Sequence, residues 1–229
     1  MSLRTEPASK ASRRGLPATA AVLVIAWALI LGAVLGFGWL LTHPLQSSVD
    51  PWDNDVSRWF ADQRSGTLDG PADVGTFLGD TIPAMALFAV VAVAFAAWKR
   101  SWRPLVFAGL LVAGVGGFYA LATHLDPRDR PPVSILDPGL VPDASFPSGH
   151  VGTATAVYVG IALLAWVYAP TARRWVWVLL ALPFVVLVAR LYQGAHHLTD
   201  VLTSLTYASV WLAVLFVLVL RGHGPEKSS

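Results

Sequence analysis

Six long apolar runs constrain this chain more than any other feature. They cover residues 16–41, 82–98, 105–122, 151–169, 175–189 and 201–220. A bilayer core about 30 Å thick is crossed by a helix of roughly 20 apolar residues. In hydrocarbon every backbone N–H and C=O must be paired inside the protein, so runs of this length become helices. The runs predict an all-α integral membrane protein, a six-transmembrane-helix bundle. Only 13% of the residues are charged, against ~25% in soluble domains.

The bundle is expected to be one domain, 16–220, between a disordered basic tail, 1–15, and a short polar tail, 221–229. A basic start before an apolar run can mark a signal peptide. Here the first run exceeds the usual 7–15-residue apolar region, and no small-residue cleavage site is evident. The chain has no cysteine, which excludes disulfides, thiolate catalysis and cysteine metal sites. Its formal charge of +2, with no basic stripe outside the tails and loops, gives no reason for a nucleic-acid partner.

Lys and Arg near membrane ends collect on the cytoplasmic side. Arg4, Lys10, Arg13, Arg14, Lys99, Arg100, Arg103, Arg173, Arg174, Arg221 and Lys227 fall in the tails and in the loops after the second and fourth runs. Only Arg58, Arg64, Arg128, Arg130 and Arg190 fall on the other side. Six spans with both termini cytoplasmic satisfy this pattern. The first outer segment, 42–80, is acidic. Within it Trp52, Val56, Trp59 and Phe60 recur at helical spacing, which predicts a short amphipathic helix on the membrane surface. The segment is a candidate lid, and its scattered Asp residues lack ligand-like spacing for a metal.

Three polar clusters share the outer side. Asp126-Pro127-Arg128-Asp129-Arg130-Pro131 follows the third run, Pro147-Ser148-Gly149-His150 opens the fourth, and Arg190 through His196 to Asp200 joins the fifth to the sixth. A helix starting after Pro147 aims free N–H groups outward, a natural anion site, although a plain Ser-Gly helix cap has the same sequence. Arg130 and Arg190 suit an oxyanion, because guanidinium forks match phosphate geometry; alternatively each pairs with lipid headgroups. His196 and Asp200 are four apart, so a helix puts them on one face. A carboxylate on one ring nitrogen leaves the other as a lone pair for a base, a nucleophile or a metal. A helix-capping Asp beside an interfacial His is the bland reading. His197 faces elsewhere.

Together the clusters resemble the type 2 phosphatidic acid phosphatase superfamily of membrane lipid phosphatases. The family pattern is Lys, six residues, Arg-Pro; then Pro-Ser-Gly-His; then Ser-Arg, five residues, His, three residues, Asp. Pro147 to His150 is complete, and Arg190, His196 and Asp200 keep the spacing with Ala189 in place of Ser. Arg130-Pro131 matches the first motif, but Thr123 stands where the family has Lys. The resemblance implies that His196 attacks phosphorus to form a phosphohistidine, that Asp200 orients it, and that His150 protonates the leaving oxygen. Arg130, Arg190, Ser148 and the Gly149 N–H would hold phosphate oxygens. Thr123 offers only a hydroxyl, and Arg128 is the candidate to restore the missing charge. No cofactor or metal is implied. The expected partners are the bilayer and a lipid phosphate: a polyprenyl diphosphate or phosphate, phosphatidic acid or phosphatidylglycerol phosphate, met at the outer face of the cytoplasmic membrane. The alternative is a non-enzymatic lipid-phosphate binder or transporter with a decayed site.

Overall fold

The structure, a computed structural model, describes residues 15–221; the predicted tails lie almost wholly outside them. The chain runs through α1 (Leu16–Thr42), α2 (Gln46–Asp62), α3 (Gly66–Phe77), α4 (Thr81–Lys99) and α5 (Arg103–Leu125). After an irregular segment come α6 (Gly149–Tyr168), α7 (Pro170–Tyr192) and α8 (Leu198–Leu220). A π-helical turn, Thr155–Val159, interrupts α6, a 3-10 turn opens α7 and a π turn closes α8. Among the described residues there is no strand beyond a single bridge between Arg128 and Ala144. All but α2 and α3 are long and apolar enough to cross a membrane, which makes six.

The helices outrun the apolar runs where polar groups continue their hydrogen bonding. α5 reaches Leu125, α7 takes Arg190 into its last turn, and α8 starts early enough to hold Asp200 in its first. α6 is the most enclosed span and α1 the least. Around α6 pack α4, α5, α7 and α8, while α1 rests on α5 and α8. Phe88, Phe107, Leu111, Phe118 and Leu164 are fully buried between them. The outward faces carry Val24, Ile25 and Leu29 on α1, Val90 and Val93 on α4, and Val185 and Val188 on α7. That is the surface a hydrocarbon solvent favours. Lys99 lies over the Trp98 ring and Arg173 over Trp166, a pairing suited to a membrane interface.

The first outer segment differs from expectation in two ways. It contains a second helix, α3, which its sequence argues against: Gly66, Gly70, Pro71 and Gly75 are poor helix formers. Packing offsets propensity. A Cβ on Gly75 would sit 2.7 Å from the Cβ of Ala189, so only glycine lets α3 lie this close to α7. In α2, Trp52 and Trp59 are exposed, whereas Asp53 and Ser57 are buried. Its inward face is therefore mixed: Val49 and Phe60 pack on the core, and Asp53 meets Arg128. Of the glycines in the second half of α1, only Gly38 makes a close approach, against Phe146 and Asp126; Gly32 and Gly36 face open space.

Gly75→Val should force α3 away from α7. Overpacking of this kind costs about 1–3 kcal/mol, which a fall in the thermal midpoint of the detergent-solubilised protein would register. An unchanged midpoint would contradict the packing described.

Candidate active site

The irregular segment between α5 and α6 folds back on itself over the helix ends. The Arg128 N–H donates to the Asp143 carbonyl at 2.9 Å, and the Ser145 N–H donates to the Arg128 carbonyl at 3.0 Å. The Arg130 N–H donates to Pro142 at 3.1 Å. This short pairing carries Arg130 to the start of α6, where Gly149 and His150 stand. The turn at Gly194 (φ +69°) then brings His196 back from the end of α7.

These residues enclose a cavity of about 210 Å³. Arg130, Gly149, His150, Arg190 and His196 form its polar wall, and Met85, Val115, Tyr119 and Leu140 its less polar side. Arg190 is fully buried. Its Nη1 donates to Asp137 Oδ2 at 2.7 Å and to Gln193 Oε1 at 2.9 Å. Its Nε and Nη2 have no partner. Buried donors on a charged group are costly to leave unmade, about 1–3 kcal/mol or more each, so two on one guanidinium call for a ligand. Arg130 is pinned by three carbonyls, those of Val141, Ala195 and Ala144, which fix its plane at the cavity wall. Beside Gly149, the buried Ser148 hydroxyl is also unpartnered.

The two histidines have unlike neighbours. His150 Nε2 lies 3.1 Å from Asp80 Oδ1. His196 Nδ1 lies 2.7 Å from the Ser145 carbonyl. A carbonyl can only accept, so Nδ1 carries the proton and neutral His196 holds its lone pair on Nε2. Burial holds the His196 imidazole well below the ordinary histidine range, and Arg190 and Arg130 push the same way against Asp200 and Ser145. Among the described residues no three His, Cys, Asp or Glu side chains converge to hold a metal ion.

Residues 104–222 match the profile of the PAP2 superfamily. The chain belongs to that superfamily. A crystal structure of the first transmembrane PAP2 type phosphatidylglycerolphosphate phosphatase from Bacillus subtilis has the same fold, with a TM-score of 0.71. The two chains are 19% identical, and the likeness covers 91% of this chain and 99% of that one. At that identity it concerns the fold. No curated protein matches the chain in sequence. With its six apolar helices, this PAP2 chain is an integral membrane protein.

Four residues expected at the PAP2 site do not line the cavity. Arg128 turns away from it, and its guanidinium is spent on Asp200, Asp53, Asp50 and Thr199. It is therefore not the replacement for the missing lysine charge. The Thr123 hydroxyl reaches the Phe146 carbonyl at 3.5 Å. Asp200 makes no hydrogen bond to His196. It caps α8 by accepting the His197 N–H at 2.9 Å, and it accepts the Ser145 hydroxyl at 2.6 Å. Ser148 stays just behind Gly149. The direct Asp200–His196 contact expected from their spacing fails because His196 precedes the helix that holds Asp200.

Sequence reasoning missed Asp80, Asp137, Ser145 and Gln193. Two of them carry a local signal. Asp80 stands two residues before the second apolar run, at the N-cap of α4, and Gln193 follows Arg190 by three, a facing position at a helix end. Asp137 and Ser145 sit in an irregular segment where spacing predicts nothing.

The shift at His196 predicts that its ring stays neutral as pH falls through about 6.5, the ordinary histidine value. A titration followed by histidine NMR in micelles checks this. Protonation of His196 at or above that pH would contradict the site as described.

Proposed function

We propose that this protein is a membrane lipid phosphatase working through a phosphohistidine. The observation that carries the reading is the unpartnered half of the Arg190 guanidinium, buried in the wall of a cavity that also holds Arg130, the start of α6 and two histidines. A phosphoryl group supplies the acceptors these donors lack. The cavity is smaller than the ~300–1,000 Å³ of pockets that enclose drug-sized ligands, which suits a phosphate headgroup whose tail stays in lipid.

The arrangement supports the following chemistry. His196 Nε2 attacks phosphorus, and the Ser145 carbonyl holds the ring through Nδ1–H. Arg130, Arg190 and the Gly149 N–H gather the phosphoryl oxygens as charge builds on them. With a phosphate anion beside it His150 holds a second proton; it keeps one N–H on Asp80 and gives the other proton to the leaving oxygen as the P–O bond breaks. It then takes a proton from the water that cleaves the phosphohistidine, which releases phosphate and restores His196. Two guanidiniums and a helix start supply the positive charge, so the reading needs no metal.

Charge asymmetry supports both termini in the cytoplasm, α2 on the outer membrane surface and the cavity on the outer face. Among lipid phosphates that meet that face, polyprenyl diphosphate or phosphate is the first choice, ahead of phosphatidic acid and phosphatidylglycerol phosphate, by family analogy. Thr123, uncharged and turned to Phe146, favours a second reading, a lipid-phosphate binder without turnover.

Purified protein with a chelator present should release phosphate from at least one of these lipids. His196→Ala should lower turnover by roughly 10³-fold or more while the protein stays folded. Thr123→Lys should change KM more than kcat. Tight lipid-phosphate binding with no release from any of the lipids would sink the phosphatase in favour of the binder.

A further inference from the structure

We propose that Ser145 and Arg128 are positioning residues for His196: Asp200 acts on the imidazole through Ser145, and Arg128 locks Asp200 to α2 from behind. The proposal rests on the phosphatase reading only in taking His196 as the nucleophile.

Ser145 is fully buried between the two side chains it joins. Its carbonyl accepts from His196 Nδ1 at 2.7 Å, and its hydroxyl donates to Asp200 Oδ2 at 2.6 Å. Asp200 Oδ1 accepts from Arg128 Nη1 at 2.6 Å. The other arm of the same guanidinium, Nη2, donates to Asp53 Oδ2 at 3.1 Å and to Asp50 Oδ1 at 3.0 Å, both on α2. Arg128 therefore grips Ser145 twice. Its backbone carbonyl takes the Ser145 N–H at 3.0 Å, and its side chain fixes the carboxylate that takes the Ser145 hydroxyl.

This route gives something a direct carboxylate–imidazole contact would not. A carboxylate on Nδ1 favours the charged ring, which has no lone pair to attack with. A carbonyl fixes the same tautomer and leaves the ring neutral. Asp200 keeps its charge one residue away, balanced by Arg128 and the Ser145 hydroxyl, and still sets where that carbonyl stands. The geometry also explains why α2 turns aspartates inward: they complete the far side of the Arg128 fork.

The experiment is ¹⁵N-histidine NMR of the full-length protein in micelles, with the His196 signals identified by their loss in His196→Asn. The wild type should show one His196 tautomer, protonated at Nδ1. Ser145→Ala keeps the carbonyl and removes only the hydroxyl. Arg128→Lys keeps the charge, but an ammonium cannot span the carboxylates as a planar fork does. In both variants His196 should become a mixture of tautomers. On whichever lipid phosphate the wild type hydrolyses, kcat should fall about 10-fold or more with KM nearly unchanged. A single Nδ1–H tautomer retained in Ser145→Ala overturns the proposal, whatever happens to turnover or stability. A raised KM at constant kcat in Arg128→Lys overturns it too, because Arg128 would then be binding phosphate. If Arg128→Lys does not accumulate, Ser145→Ala decides alone. Tautomer mixing in a protein that hydrolyses no lipid upholds the positioning and removes the phosphatase reading, so the two failures are distinguishable.

Discussion

A guanidinium with no solvent exposure and two unpartnered nitrogens is the constraint on which the outer half of this molecule depends. Arg190 lies in the last turn of α7, after an apolar stretch from Trp175 to Ala189, and burial of a lone charge there is costly. Asp137 offsets the charge and Gln193 takes a second bond. Gln193 is itself held by Thr76 and Asp73 of α3. α3 can hold it because Gly75 lets the two helices meet. A residue with no side chain thus helps set the aim of a residue whose side chain carries the site.

The same logic runs through the whole first outer segment. Asp53 of α2 meets Arg128, Asp73 of α3 meets Gln193, and Asp80, between α3 and α4, meets His150. Each carboxylate leads to a different wall of the cavity. The segment braces the site from outside. That explains why Asp53, Asp73 and Asp80 are too scattered for a metal site: they serve separate partners.

The spans were legible because hydrocarbon leaves a long apolar run little choice but helix, and the runs at 82–98 and 201–220 lie within α4 and α8. The convergence of Arg130, His150, Arg190 and His196 was legible because motifs at the ends of neighbouring spans meet once the spans form a bundle. The partners of those residues were not. Ser145 acts through its carbonyl as much as its hydroxyl, and a carbonyl leaves no mark in a sequence. α3 was hidden because its glycines and proline contradict local propensity, and its stability comes from α7. The four-residue spacing of His196 and Asp200 misled because it presumed a helix through both, whereas α8 begins at Leu198.

The central claim is that His196 takes the phosphoryl group from a lipid in this cavity. Rapid acid-free quenching of the enzyme during turnover of a radiolabelled lipid phosphate tests it most directly. The account predicts a protein-bound phosphoryl group that is stable to base, labile to acid and absent from His196→Ala. Turnover without such an adduct, or an adduct that persists in His196→Ala, would contradict it.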